Sequence, residues 1–176
     1  VKFEATPLQG AFVITPEPIE DDRGFFARAY CDEAFKAHGL HTAWPQCNLS
    51  FNRKAGTLRG MHWQDPPHAE VKLVRVISGA LHDVIVDLRP DSATYKQPFG
   101  VDLSAENRRM LYIPEGFAHG FLTLDDNTEA FYHMGSPYAP GAARGARYDD
   151  PAFSITWPRD ITVISDRDRT YPDFKD

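Results

Sequence analysis

The sequence predicts an all-β fold, a sandwich or barrel of short strands. Three observations carry this prediction. Runs rich in β-branched and aromatic residues recur at roughly ten-residue spacing, with turn residues between them. Phenylalanine (12) and proline (14) are plentiful in a chain of 176 residues, a balance that suits strands joined by many turns. Long apolar stripes at helical spacing are scarce.

Phe12-Val13-Ile14 and Phe25 to Tyr30 read as short strands, split by the turn-prone segment from Pro16 to Gly24. Asp32 to His38 is the best short helix, with Asp32 as its N-cap and Gly39 as its stop. Strand signals dominate from residue 44 onward. Val71 to Ser78 and Ala80 to Leu88 pivot about Ser78-Gly79, a hairpin signal. Further strands are expected at Gln97–Leu103, Arg109–Ile113, Ala118–Leu124 and Glu129–His133. Val71, Leu73, Val74, Val76 and Ile77 place apolar side chains on both strand faces. One face then lines a barrel while the other meets a second sheet or a partner subunit. The polar tail from Asp160 to Asp176 either runs free or folds back over the site. The length suits one domain over residues 1–176.

A hydrophobic content of 42% and a charged content of 25% are ordinary for a globular protein. The formal net charge of -6 argues against a nucleic-acid surface. No apolar run reaches the roughly 18 residues of a membrane span, and the N-terminus has no apolar signal core. A cytoplasmic location is the expectation. Cys31 and Cys47 are the only cysteines and suggest no metal or disulfide framework, so both are expected as reduced thiols.

Two stretches carry the chemistry: Leu58-Arg59-Gly60-Met61-His62-Trp63-Gln64 and Ile113-Pro114-Glu115-Gly116-Phe117-Ala118-His119-Gly120. Each ends a strand-like run in a histidine beside glycine. Glycine permits a sharp turn or close approach to a ligand, and histidine moves protons near neutral pH. His62 taken alone reads as a hydrogen-bonded structural residue, a reading that its neighbours Arg59 and Lys72 weaken. Lys72 interrupts the face shared by Val74 and Val76. A cation facing a barrel interior is costly unless an anion meets it. That anion is a bound phosphate, a developing enolate or one of the chain's own acids. Tyr132 alone reads as a core aromatic, and Asp168 as a solvated tail carboxylate.

The spacing Pro114-x-Gly116-x-x-His119 resembles the second motif of the cupin superfamily. The place of that superfamily's first metal-binding motif reads His62-Trp63-Gln64, and a neutral amide is a weak ligand for transition metals. No metal and no cofactor are expected. More specifically, the chain resembles the dTDP-4-dehydrorhamnose 3,5-epimerase family. Arg59 to Gln64, Lys72 to Val76, Asp83 to Arg89, Leu103 to Asn107, Ile113 to Phe121 and Asp149 to Pro158 carry the likeness, in matching order. It implies a metal-free cupin-type jelly-roll barrel with short peripheral helices. The expected partners are a nucleotide-sugar substrate, most simply dTDP-linked, and a second copy of the chain in a homodimer.

The resemblance also implies roles. A ketone at C4 acidifies the hydrogens on C3 and C5. His62 would be the base, Asp168 would orient it, Tyr132 would be the acid across the sugar, and Lys72 would stabilise the oxyanion. Arg59 and His119 would complete the polar pocket. Arg23, Phe26, Gln46, Asn48 and Tyr138 would contact the nucleotide and sugar. The chain departs from the family's common residues at Arg28, Cys47, Leu49, Ala143 and Arg167, positions expected to concern recognition more than proton transfer. Rival readings are a single-carbon epimerase, a ketoisomerase, a metal-dependent oxygenase using His62, His119 and Glu70, and a sugar-binding barrel without catalysis.

Overall fold

The computed structural model describes residues 1–175; Asp176, the last residue of the polar tail, lies outside them. Strands numbered along the chain form two main sheets. The first runs β1 (Lys2–Ala5), β2 (Phe12–Thr15), β10 (Met110–Ile113), β7 (Lys72–Ser78), β12 (Thr128–Met134), β5 (Gln46–Asn52). The second runs β13 (Ala143–Gly145), β6 (Thr57–Gln64), β11 (Phe117–Thr123), β8 (Ala80–Asp87), β9 (Pro98–Ser104). A short strand, β14 (Val163–Ile164), lies parallel to β6. All other pairings in both sheets are antiparallel. A small hairpin, β3 (Ile19–Asp21) and β4 (Gly24–Phe26), stands apart from both sheets. The two helices are short, α1 (Asp32–Ala37) and α2 (Asp166–Arg169). This is the cupin-type jelly roll with short peripheral helices.

The apolar pattern sorts into three layers. Val13, Val74, Val76 and Ala130 of the first sheet meet Leu81, Ile85, Phe117 and Phe121 of the second to form the central core. Alternate residues face outward. On the first sheet Ile14, Leu73, Met110 and Tyr112 are covered by Phe35 of α1. On the second, Met61, Val84, Val86 and Ala118 are covered by Ala146 and Phe153. The rest of the first sheet's outer face stays bare, with Leu49, Phe51 and Ile77 each at least half exposed.

Three local expectations need correction. Ser78-Gly79 is not a hairpin, because β7 and β8 belong to different sheets. Gly79 instead turns a corner at φ +73, where an added Cβ would lie 2.5 Å from the Thr128 hydroxyl. A turn signal marks a change of direction and does not choose the pairing partner. The strand expected from Phe25 to Tyr30 ends at Phe26, because its only partner is the three-residue β3. The N-cap of α1 is Cys31, with no side-chain cap. Asp32 lies in the first turn, where its charge suits the helix dipole, and it pairs with Lys36 at 2.7 Å. Gly39 does follow the helix end, at φ +69.

Candidate active site

Strands β6 and β11 bring the two histidine motifs side by side, with His62 directly opposite His119. The glycines make this approach possible. A Cβ on Gly60 would lie 2.5 Å from the Gly120 Cα, and one on Gly120 would lie 2.6 Å from the Met61 sulfur. Their role is close strand contact rather than close contact with a ligand.

A cavity of about 590 Å³ opens against these strands. His62, Arg59, Lys72, His119, Tyr132 and Asp168 all line it. An adjoining cavity of about 390 Å³ shares His62, Lys72, Met134 and Arg167 and adds Gln46, Asn48 and Tyr138. Nine of the eleven residues singled out from the sequence thus gather around one two-part site. Arg23 and Phe26 do not. They sit on the exposed β3–β4 hairpin, where Arg23 pairs with its neighbour Asp21 and Phe26 is 73% exposed.

The tail folds back over the site. The Ser165 hydroxyl caps α2 by accepting from the Asp168 N–H. The helix thereby buries Asp168, whose Oδ1 lies 2.7 Å from His62 Nε2. The other carboxylate oxygen accepts from the Gly60 N–H at 3.1 Å. Burial alone would raise the Asp168 pKa. The bond to His62, its charge, and the Gly60 and Ser165 donors outweigh burial and hold the carboxyl below its ordinary value. With Nε2 committed, Nδ1 is the imidazole nitrogen left to exchange a proton with a ligand.

Tyr132 faces the same cavity from β12. Burial pushes its phenol above the ordinary value; a hydrogen bond with Ser50 and the Arg59 charge pull it back, and the Asp83 charge adds to the rise. The net effect keeps the phenol protonated at neutral pH. Lys72 is buried and its ammonium lies 2.9 Å from Glu70 Oε1. The chain's own acid therefore meets the cation that the sequence left in search of an anion. Arg59 donates to Asn52 Oδ1 at 2.8 Å.

Gln64, at the position of a cupin metal ligand, spends its amide on the backbone. It donates to the His68 carbonyl at 2.8 Å and accepts from the Ala139 N–H at 2.7 Å. Among the described residues no group of three or more His, Cys, Asp or Glu is arranged to hold a metal ion.

The sequence reading missed the partners that hold these groups: Ser50, Asn52, Glu70 as partner of Lys72, and Asp83. Arg167, named only among the departures expected to concern recognition, lines both cavities. Of the five departures, Cys47 and Leu49 are exposed and alternate with the cavity-lining Asn48, so they face away from the site. Ala143 and Arg167 do line it.

A family profile described as dTDP-4-dehydrorhamnose 3,5-epimerase matches residues 5–176. The chain belongs to the dTDP-4-dehydrorhamnose 3,5-epimerase family. Its similarity to a dTDP-4-dehydrorhamnose 3,5-epimerase of Methanothermobacter thermautotrophicus is 42% identity over 179 residues, covering 99% of this chain and 95% of that one. The fold is shared with the Bacillus anthracis epimerase solved with TDP and PPi bound, at a TM-score of 0.94 and 40% identity, covering 98% of this chain and 99% of that one. It is also shared with the Legionella pneumophila epimerase solved in complex with dTDP-4-keto-L-rhamnose, at a TM-score of 0.88 and 35% identity, covering 95% and 89%. The site of this epimerase-family chain is therefore one of proton transfer at carbon beside a carbonyl.

Proposed function

We propose that the protein inverts C3 and C5 of dTDP-4-dehydro-6-deoxy-D-glucose to give dTDP-4-dehydro-L-rhamnose, as one cupin-type domain and without a cofactor. His62, through Nδ1, takes the proton from carbon. Asp168 fixes the ring and stabilises the imidazolium that results. The electron pair moves onto the C4 oxygen, and the Lys72 ammonium offsets the negative charge that develops there. Tyr132 returns a proton to the opposite face of the sugar. Its phenolate is then reprotonated from solvent, and His62 releases the proton it took. Arg59 and the adjoining cavity with Gln46, Asn48, Tyr138 and Arg167 hold the diphosphate and nucleoside.

The observation that carries this reading is the shared cavity. The His62–Asp168 pair and a protonated Tyr132 line one space, with Lys72 beside them. Incubation with the substrate in heavy water tests it. Deuterium should enter at both carbons, and His62→Ala, with the fold intact, should lose the exchange. Label at one carbon only would select a single-carbon epimerase. Undiminished exchange in the variant would remove His62 as the base.

The same reading takes the protein to be a homodimer in the cytoplasm. Ile19, Phe25 and Phe26 on the hairpin and Leu49, Phe51 and Ile77 on the first sheet are exposed, and β5 is a sheet edge. Bare apolar faces and open edges favour association. A second copy would cover them and carry its own Arg23 and Phe26 toward a neighbouring site. Light scattering should give twice the chain mass; a monomer at working concentration would rule this out. The free thiols Cys31 and Cys47 suit a reducing compartment, and recovery of the protein outside the cytoplasm on cell fractionation would count against that location.

A further inference from the structure

One residue of the tail touches both halves of the site and has no part in the mechanism above. Tyr171 follows α2, half-buried, with its ring laid against Gly145 of β13, where an added Cβ would run into it. Gly145 stands opposite His62 in the strand register, and the Tyr171 ring meets the imidazole edge-on, with centroids 6.3 Å apart. The backbone there is anchored as well. The Tyr171 carbonyl accepts from Arg147 at 3.1 Å, and Arg147 pairs with Asp173 at 2.7 Å. The Tyr171 hydroxyl accepts from Arg167 Nε at 2.7 Å. Arg167 and Asp168 are consecutive in α2, and consecutive helical side chains diverge by about 100°. Asp168 turns to His62, while Arg167 turns to the seam of the two cavities and lines both.

His62, Lys72, Met134 and Arg167 are the residues common to both cavities. A substrate with its sugar beside Tyr132 and its nucleoside beside Tyr138 must carry its diphosphate across that seam. Lys72 has Glu70 as its counter-charge there, and His62 has Asp168. Among the described residues no carboxylate pairs with Arg167; its partner is the Tyr171 phenol, with that of Tyr138 a second, lesser neighbour. A carboxylate would compete with a phosphate for the guanidinium, whereas a neutral phenol orients it and leaves its charge free. Arg167 is otherwise an exposed side chain, and an exposed arginine loses rotamer freedom when it closes on a ligand. Fixing it beforehand lowers that cost. We propose that Tyr171 is a positioning residue whose hydroxyl holds the Arg167 guanidinium at the seam, ready for the diphosphate of the substrate. The proposal rests on the epimerase reading and names a residue that prepares its binding step.

Tyr171→Phe removes the hydroxyl and keeps the ring against Gly145. Titration calorimetry with dTDP, inorganic pyrophosphate and thymidine reads the result. Affinity for dTDP and pyrophosphate should fall by roughly 3- to 10-fold, the worth of one hydrogen bond, while thymidine binding stays within a factor of about two. In turnover KM should rise by the same factor with kcat within about twofold, since a contact made equally in ground and transition states acts on KM. A phenol that merely supports the tail would lower kcat through Asp168, or leave every constant unchanged; either result overturns the proposal. Because the hydroxyl acts through Arg167, Tyr171→Phe in an Arg167→Met background should change dTDP affinity no further, and an equal further loss overturns the proposal. Should Tyr171→Phe fail to fold, 15N NMR of arginine-labelled wild-type protein decides. The Nε–H of Arg167, identified by its loss in Arg167→Met, should exchange with water more slowly than that of exposed Arg53 before any ligand is added. Exchange as fast as that of Arg53 overturns the proposal. Wild type that binds pyrophosphate but not dTDP would count against the epimerase reading alone, with the pyrophosphate series still judging Tyr171. Binding of neither overturns both.

Discussion

In the first cavity the charged side chains are each held by a buried or half-buried partner, whereas in the adjoining cavity Gln46 and Asn48 hold each other and the outer side chains stay exposed. His62 is held by Asp168, His119 by Asp83, Lys72 by Glu70 and Arg59 by Asn52. Next door, Tyr138 is 56% exposed, position 143 offers only a methyl group, and Arg144 is tied outward to Asp65 at 2.7 Å. Proton transfer needs donors and acceptors fixed before the substrate arrives, since reorganisation during reaction adds to the barrier. Recognition of a nucleotide tolerates adjustment, because contacts made equally in ground and transition states alter KM more than kcat. Of the departures from the family's common residues, Ala143 lines only the adjoining cavity and Arg167 lines both, while His62, Tyr132 and Asp168, the residues proposed for proton transfer, match the family pattern.

This contrast breaks if substitutions in the two cavities act on the same kinetic constant. The largest effect is expected from Tyr132→Phe, which keeps the ring and removes the proton. Turnover should fall by roughly 10²- to 10⁴-fold, the usual scale of general acid catalysis, with KM little changed. Equal turnover in a steady-state assay would take Tyr132 out of the mechanism. Tyr138→Ala should act on the other constant. Loss of one stacking ring is worth about 1–3 kcal/mol, so KM should rise by about tenfold or more at nearly constant kcat. A matching fall in kcat would mean that the adjoining cavity also shapes the transition state. The smallest effect is expected from Cys47→Asp, which restores the family's common residue on a face turned away from the site. KM should stay within about twofold, the usual scale for a surface change. A larger shift measured on the same substrate would show that the outer face of β5 communicates with the nucleotide.

The sequence carried different parts of this picture with different force. The β character was legible because β-branched and aromatic runs recur at roughly ten-residue spacing between turn signals, and Gly39 marked the helix end, where its φ is +69. Pairing was not legible. Ser78-Gly79 signals a reversal, yet the partners of β7 are β10 and β12, because burial across the sandwich outweighs local turn chemistry. His62 and Lys72 stood out from their own surroundings, a histidine beside glycine and a lysine in an apolar face, whereas Tyr132 was singled out as the acid only through the family pattern. Asp168 read alone as a solvated carboxylate, and only the fold of the tail, pinned by the Ser165 cap and β14, buries it. The partner roles of Glu70, Asp83 and Asn52 escaped notice for a related reason. Asp83 meets His119 across β8 and β11, 36 residues apart in sequence, and no periodicity of one strand reveals what the next strand will place against it.

The account depends most on two proton carriers facing opposite sides of one sugar. Tyr132→Phe in heavy water separates them. With His62 intact and the phenol gone, the base can still remove a proton, exchange it with solvent and return deuterium to the side it came from. Product NMR should therefore show label entering with configuration retained. Inversion continuing at the wild-type rate would contradict the account, because some group other than Tyr132 would then be delivering the second proton.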